Sequence, residues 1–283
     1  MKRKSTISTA AYLVSLEILV GLLGAVCPAI AQDTAGTVNS TKRLENGTDP
    51  IDFISRLEVK NEYVDIDGGH ENVTTFQGDY AFSKTFLVRM EVPVVDSDPP
   101  GSAGGPELLD LPVESGVPGA SPKTGLGDIL VRAVARVLKT DSFAMGVGAE
   151  VILDSATADE TGTGKNQFAP ILAAVYYPVE ELSIFPIIKD HISFGGDSDR
   201  ADIHFLSFEL NVEYDWPRGW WTTLAPELLI NFEDDNKKTL IIDVEAGKMF
   251  NENVGAWVRP GTHVAGEKGM NWNIQVGVRY LFN

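Results

Sequence analysis

The side chains that could serve as nucleophiles, general bases or metal ligands form no catalytic motif in this sequence. The four histidines are His70, His191, His204 and His263, and their spacing is not that of a metal site. No Gly-x-Ser-x-Gly motif occurs, and no histidine stands in a recognisable nucleophile motif. We therefore predict no catalytic residue, no metal and no cofactor. A hydrolase would need a serine close to His191 or His263 in the folded chain.

The single cysteine, Cys27, lies in an N-terminal segment that is built like an export signal. The chain starts with three basic residues, an apolar stretch runs from about residue 10 to residue 26, and the small-x-small pattern Ala29-Ile30-Ala31 follows. We predict a cleaved signal peptide over residues 1–31, with an uncleaved membrane anchor as the alternative. The mature chain, from Gln32, would then have no cysteine for disulfides or thiol chemistry.

The charge of the chain limits its partners. It has 40 acidic and 23 basic residues, a formal net charge of −17, so we predict no binding to nucleic acid. Acidic clusters can contact lipopolysaccharide through divalent cations, or can simply keep loops solvated. No mature segment has the roughly 18 consecutive apolar residues of a transmembrane helix. The candidates that remain are a soluble periplasmic protein and a β-barrel.

Alternation of apolar and polar residues favours the barrel. From Trp272 to Phe282 every second residue is apolar, and the residues between them are mostly polar or small. A period of two puts these sets on opposite faces of a strand, and an apolar outer face with a polar inner face is typical of a transmembrane barrel. A soluble sandwich could alternate in the same way. The other clear examples are Phe86–Val95, Phe143–Leu153, His204–Trp216 and Trp220–Phe232.

The remaining strands are weaker, and 182–194 alternates poorly because Phe185, Ile187 and Ile188 break the period. The weaker segments are 52–64, 73–82, 125–138, 168–179, 182–194, 239–250 and 254–265. All segments together predict an all-β protein, a single antiparallel transmembrane β-barrel of about twelve strands. We expect residues 32–50 to be a flexible N-terminal lead and residues 51–283 to be the barrel.

The connections alternate in length, as in barrels with short periplasmic turns and longer outer loops. Aromatic residues collect beside the short turns, as expected of rings at a membrane interface. This arrangement places both termini in the periplasm, and His191 and His204 become strand or girdle residues. The short turns are at 83–84, 139–142, 180–181, 217–219 and 251–253, and the longer connections are 65–72, 96–124, 154–167, 195–202, 233–238 and 266–270. The longest, 96–124, would be a mobile loop or a constriction.

The inward-facing charges are the candidate functional residues, because they would line the lumen. Paired with one another, they would be structural; unpaired, they would set ion selectivity, and their acidic excess would favour cations. About twelve strands leave a narrow lumen. The candidates are Arg56, Glu58, Lys60, Glu62, Arg89, Glu91, Asp128, Arg132, Arg136, Glu150, Glu209, Glu213, Glu227, Asp243, Glu245, Arg259 and Arg279.

Two motifs add information on the class of protein. The C-terminal residues Gln275, Gly277, Tyr280 and Phe282 resemble the signal by which the barrel-assembly machinery recognises outer-membrane proteins, although the chain ends one residue later, at Asn283. The resemblance implies that this machinery is a partner.

The second motif starts at Thr124-Gly125-Leu126-Gly127-Asp128-Ile129. Together with 150–154, Gly162-Thr163-Gly164 and Gln167-Phe168-Ala169-Pro170, it resembles the MetA-pathway phenol-degradation family of outer-membrane proteins, with a departure at 154–156. The resemblance covers about 124–283 and implies a barrel that moves hydrophobic or aromatic compounds. Asp128 itself is more simply read as a turn-end residue that binds backbone amides.

The sequence thus predicts an outer-membrane protein of a Gram-negative bacterium, in contact with lipid and lipopolysaccharide, that passes small solutes by passive diffusion. Two alternatives stay open. One is a closed barrel with a structural or surface role, and the other is a barrel-embedded hydrolase. A continuous lumen would favour the channel, and a lumen sealed by paired charges would favour the structural role.

Overall fold

A computed structural model of the chain describes residues 45–98 and 123–282. The predicted signal peptide, the first part of the predicted lead and most of the 96–124 connection lie outside these residues. In the described part of the chain, no helix is long and apolar enough to cross a membrane.

The described residues form β-strands joined by turns, with a single 3₁₀ turn at Pro217–Gly219. Each strand alternates inward and outward side chains, as the period of two requires. The strands are β1 Ser55–Ile66, β2 Gly69–Ser83, β3 Phe86–Asp98, β4 Lys123–Leu126, β5 Ile129–Lys139, β6 Phe143–Leu153, β7 Lys165–Val179, β8 Leu182–Gly196, β9 His204–Trp216, β10 Trp220–Asn231, β11 Lys237–Met249, β12 Val254–Gly266 and β13 Trp272–Phe282.

The sheet closes on itself as an antiparallel barrel. Apart from β4 and β5, which do not pair with each other, every strand pairs with its neighbours in the chain; β1 also pairs with β13, with Glu58 opposite Arg279. The segments β4 and β5 both pair with β3 and are separated only by Gly127 and Asp128, so they form one interrupted strand. The barrel therefore has twelve strands, and the prediction of an all-β, twelve-stranded antiparallel barrel is confirmed.

The two faces of the barrel wall differ in polarity. Outward apolar side chains such as Leu57, Met90 and Val278 are exposed, while inward charged residues such as Glu58 and Glu150 are buried. An apolar outer band around a polar interior is the surface that a lipid bilayer requires of a barrel.

Exposed aromatic rings form a belt at the end of the barrel that carries the short turns. The ring of Tyr80 packs edge-on against Phe82, and Tyr280 packs in the same way against Phe282. Trp216 and Trp220 flank the 3₁₀ turn and are about half exposed. Since rings of this kind are favoured at membrane interfaces, the belt lies where the sequence predicts it.

One local prediction is wrong, and a weak one is confirmed. The connection predicted at 65–72 is only the two-residue turn Asp67-Gly68, because Gly68 adopts a positive φ of 93° that lets the strands turn at once. The segment 182–194 is a regular strand, since Phe185 and Ile187 face inward against other apolar groups. An apolar inner face hides the alternation in the sequence.

Candidate functional site: the barrel lumen

Residues 45–54 lie inside the barrel, at the end that carries the short turns. Ile51 is 1% exposed and packs in one apolar cluster with Ala173 and Phe185 of the wall. Phe53 packs in a second cluster, with Leu87 and Val134. Residues 45–50, although part of the stretch predicted as a flexible lead, therefore have defined contacts with the wall. Residues 32–44 lie outside the described residues.

Polar contacts attach this segment to the acidic wall of β9. The side-chain amide of Asn46 donates to Glu213 Oε1 at 3.0 Å and to Asp215 Oδ1 at 3.1 Å. The hydroxyl of Thr48 lies 2.6 Å from the same Glu213 oxygen. Charged acceptors make these hydrogen bonds stronger than those between neutral groups.

The backbone carbonyls of the segment face the other side of the lumen. Arg56 Nη1 donates to the carbonyl oxygen of Gly47 at 2.6 Å, and Arg279 Nη1 donates to that of Asn46 at 2.8 Å. Gly47 has a positive φ of 76°, which other residues adopt with strain. The segment thus lies between carboxylates of β9 and guanidinium groups of β1 and β13.

A cavity of about 280 Å³ lies beside the segment, within the barrel. Residues 47–50 and 52–54 line it on one side and the inward faces of the strands line the rest. Its charged lining consists of nine carboxylates and seven basic side chains, so the acidic excess of the whole chain is much reduced here. The volume is at the lower end of the range for small-molecule sites.

The basic side chains of β1, β3 and β13 are held in a ladder of ion pairs. Arg56 Nε and Arg89 Nε each lie 2.8 Å from an oxygen of Asp79. Arg279 Nε lies 3.0 Å from Glu58 Oε2, and Lys60 Nζ lies 3.1 Å from Glu91 Oε2. Since buried charges need partners, this side of the lumen is a mixed and nearly balanced network.

The opposite wall has a different composition. The inward positions of β9, β10 and β11 hold six carboxylates, which are Glu209, Glu213, Asp215, Glu227, Asp243 and Glu245. The one basic residue at an inward position, Lys237, is exposed at the loop end of β11. Arg259 of β12 contacts two of the carboxylates, at 3.1 Å from Glu209 and 3.2 Å from Asp243. Neutral donors contact others: Trp221 Nε1 lies 2.6 Å from Glu245, and Asn46 reaches Glu213.

An apolar layer lies in the lumen near the other end of the barrel. Val64, Val73 and Val95 of β1–β3 belong to one buried cluster with Phe205, Leu229 and Ile241 of β9–β11 and with Met270 of the last loop. Strands β12 and β13 separate β11 from β1, so the cluster joins opposite parts of the wall. The charged cavity therefore lies between this layer and residues 45–54.

Asp128, in the interruption between β4 and β5, holds the 154–164 connection. Its carboxylate accepts hydrogen bonds from the backbone N–H groups of Ser155, Ala156 and Thr163 and from the Thr163 hydroxyl. All four contacts are those of a turn-end residue.

Most of the sequence-predicted lumen residues meet at the cavity. Four candidates do not line it, and they are Glu62, Asp128, Glu227 and Asp243. Arg136 instead lies near the segment, 3.5 Å from the carbonyl oxygen of Ile51. The predicted residues in the lining are Arg56, Glu58, Lys60, Arg89, Glu91, Arg132, Glu150, Glu209, Glu213, Glu245, Arg259 and Arg279. Sequence reasoning missed Asp79 and Lys189, which also line the cavity. The alternation of residues along β2 places Asp79 on the inward face, so this pattern could have predicted its position in the lumen.

The histidines of the strands and the glycine of the C-terminal motif have packing roles. The ring of His191 is fully buried and stacks on Phe205 at 4.3 Å, and His204 packs against Phe232 at 4.7 Å. Gly277 leaves room for the Trp257 ring, which a side chain at this position would meet. Among residues 45–98 and 123–282, no group of three or more acidic, histidine or cysteine side chains could hold a metal ion.

The comparisons with known proteins find solved structures of similar fold. No family model matches the chain, and no curated protein matches it. The COG4313 outer membrane channel from Pseudomonas putida F1 is similar over 81% of this chain and 96% of its own, at 12% identity and a TM-score of 0.61. The NanC porin matches over 79% and 98%, at 10% identity and a TM-score of 0.55.

A third similar structure is the KdgM porin in complex with disordered oligogalacturonate, at 14% identity over 81% of this chain and 99% of that one, with a TM-score of 0.51. At such identities the likeness establishes the fold alone. These neighbours are outer-membrane channels and not enzymes, and the barrel fits an outer-membrane location.

Proposed function

We propose that this chain is a gated outer-membrane channel through which small solutes diffuse passively once residues 45–54 leave the lumen. The observation that carries the proposal is the charged cavity of about 280 Å³ inside the barrel, bounded by that segment. Burying many charges has a large desolvation cost, which a purely structural barrel could avoid with an apolar interior. The likeness of the fold to outer-membrane channels supports the same function.

The contacts of the segment suit a gate. Residues 45–54 are attached by side-chain hydrogen bonds, three arginine–carbonyl contacts and small apolar clusters, while the described strand pairing of the wall begins at Ser55. Their departure would therefore break no pair of strands. Opening would also require the apolar layer around Val64 and Phe205 to separate, as in pores that are gated by an apolar constriction.

The lining favours hydrophilic solutes of small size. Charged side chains surround the cavity, and twelve strands enclose a narrow lumen. Passage of hydrophobic or aromatic compounds is what the family resemblance implies, and it stays a prediction. The small excess of carboxylates in the lining is the basis for a weak preference for cations.

The alternative is a closed structural barrel. The observation that favours it is the ladder of ion pairs across β1–β3 and β13, in which Asp79 and Glu58 each contact two arginines. Charges that satisfy one another need no solute.

We also propose the partners expected of such a barrel: lipid and lipopolysaccharide at the exposed apolar band, and the assembly machinery at Gln275, Gly277, Tyr280 and Phe282. Export through a cleaved signal peptide belongs to the same proposal. Amino-terminal sequencing of protein recovered from outer membranes would test the cleavage after residue 31.

The channel proposal is tested by tethering the segment in a chain that otherwise lacks cysteine after residue 31. The Tyr177 hydroxyl lies 2.5 Å from Asp49 Oδ2. The paired substitutions Asp49→Cys and Tyr177→Cys can therefore be joined by a bis-maleimide whose spacer contains a disulfide, so that reduction breaks the cross-link. In planar bilayers we expect conductance steps before cross-linking, loss of the steps after it, and recovery on reduction. Each single-cysteine variant, treated with the same reagent, is the control.

Two results would contradict parts of the proposal. Conductance that cross-linking leaves unchanged would show that residues 45–54 are not the gate. Resistance to unfolding in detergent would show that the protein is folded. If such folded protein gave no conductance in any variant, the channel proposal would be overturned and the structural barrel would be left.

A further inference from the structure

The contacts of residues 46–48 resemble those of a bound ligand. One side of this short stretch presents hydrogen-bond donors, the amide of Asn46 and the hydroxyl of Thr48, to carboxylates of β9. The other side presents two carbonyl oxygens to Arg56 and Arg279. The place that the stretch occupies is therefore polarised, with acceptors on one wall and donors on the other.

The acidic side of this place is better suited to a cation than to its present occupant. The groups that the segment offers to Glu213 and Asp215 are neutral. The one basic residue at an inward position of β9–β11, Lys237, is exposed at the loop end of β11 and pairs with Asp234 and Glu267. A protonated amine would form the same hydrogen bonds and would add attraction between opposite charges.

The opposite side of this place is suited to a neutral acceptor. Arg56 and Arg279 already contact the carboxylates of Glu58 and Asp79, so their charge is largely balanced. The Nη1 groups of both arginines donate to uncharged carbonyl oxygens, and Nη1 of Arg56 also lies 3.6 Å from Glu58. A hydroxyl or carbonyl oxygen of a solute would replace those oxygens without burying a further negative charge.

We propose that the place held by Asn46–Thr48 is a solute-binding site for small amines that also carry hydroxyl or carbonyl groups, of which amino sugars are the simplest class. The segment is then an internal competitor, and it closes the lumen by occupying the site of the solute. This assignment rests on the proposed channel function, because the solute must reach the lumen. The adjoining cavity of about 280 Å³ gives room for a monosaccharide.

The test uses glucosamine as the probe and glucose as its uncharged counterpart of nearly equal size. Calorimetric titration of the refolded full chain, at a neutral pH at which most of the amine is protonated, is expected to give binding of glucosamine at least tenfold tighter than that of glucose. Substituting Glu213→Gln or Asp215→Asn removes one charge and keeps the shape, and we expect about tenfold weaker glucosamine binding in each. Glu227→Gln, on the same wall but outside the cavity lining, is the matched control.

A second measurement tests whether the segment competes with the solute, and here the variant is expected to bind glucosamine more tightly instead of more weakly. Asn46→Ala removes the donor that occupies the site, so glucosamine should bind more tightly, by about tenfold. A structural role for Asn46 would weaken binding or leave it unchanged, and either result would overturn the proposal. Equal binding of glucose and glucosamine, or a loss in Glu227→Gln as large as in Glu213→Gln, would also overturn it.

Failure of this proposal is separable from failure of the channel. If glucose enters vesicles through the protein and glucosamine shows no tighter binding, the channel stands and the amine site falls. If neither sugar enters and tethering of the segment changes nothing, the proposed function itself falls.

Discussion

Replacing Arg279 by methionine tests how the closure of the barrel and the placement of the lumenal segment depend on one side chain. Arg279 belongs to β13 and faces Glu58 of β1 where the two ends of the sheet meet. Its guanidinium lies 3.0 Å from Glu58, donates to the carbonyl oxygen of Asn46 at 2.8 Å, and stacks over Trp221 at 5.3 Å. Methionine keeps most of the volume and none of these polar contacts.

The expected cost follows from those contacts. A hydrogen bond to a charged group contributes about 1.5–3 kcal/mol, and a cation–π contact contributes roughly 0.5–1 kcal/mol or more when it is buried. Glu58 keeps a second partner, Arg56 at 3.6 Å, so it is not left as an isolated buried charge. We expect the free energy of unfolding to fall by about 3 kcal/mol. The part that belongs to the Asn46 contact, about 1.5–2 kcal/mol, should shift the segment toward its undocked state by roughly 10–30-fold.

Two measurements on the same variant separate these effects. Urea unfolding of the refolded protein gives the loss of stability, and single-channel recording gives the open probability. Lys237→Met removes only exposed ion pairs with Asp234 and Glu267; it is the control and should leave the free energy of unfolding unchanged within experimental error. Arg279→Lys should fall between wild type and Arg279→Met, because an ammonium group cannot reach both partners with the geometry of a guanidinium.

A stability loss without a rise in open probability would refute the link between Arg279 and the segment. A free energy of unfolding within about 0.5 kcal/mol of the wild-type value would refute the energetic reasoning itself. It would mean that Glu58 and the carbonyl oxygen of Asn46 find equivalent partners in the lumen.

Three further predictions concern other parts of the wall. Gly247→Ala would place a methyl group against the ring of Trp221 and should lower the free energy of unfolding in urea by about 1–3 kcal/mol. Its control is Gly78→Ala, where the nearest side-chain atom is 3.7 Å away, and this change should be nearly neutral. Asp128→Asn should loosen the 154–164 connection, and hydrogen exchange of its amides should rise by roughly tenfold or more while exchange elsewhere stays unchanged. Lys268→Ala removes only an exposed ion pair with Asp67, so its unfolding midpoint should match that of the wild type.

The barrel could be predicted from the sequence because its signals are local. A period of two is visible wherever one face meets lipid and the other carries polar groups, as in Trp272–Phe282. The short turns and the aromatic residues beside them repeat along the chain in the same order as the strands. Where the inner face is apolar, as at Phe185 and Ile187, the alternation disappears from the sequence, although the strand itself is regular.

The amino-acid sequence by itself thus determined the number of strands, their outward faces and most of the charges that line the lumen. Only the tertiary structure decided which charges meet. The closure of β13 on β1 brings Arg279 to Glu58 across more than 200 positions of sequence, and such pairings depend on register, which no local pattern encodes. The same holds for residues 45–54: they have no periodicity, and they are ordered because the folded wall offers Asn46 two carboxylates and Ile51 an apolar cluster.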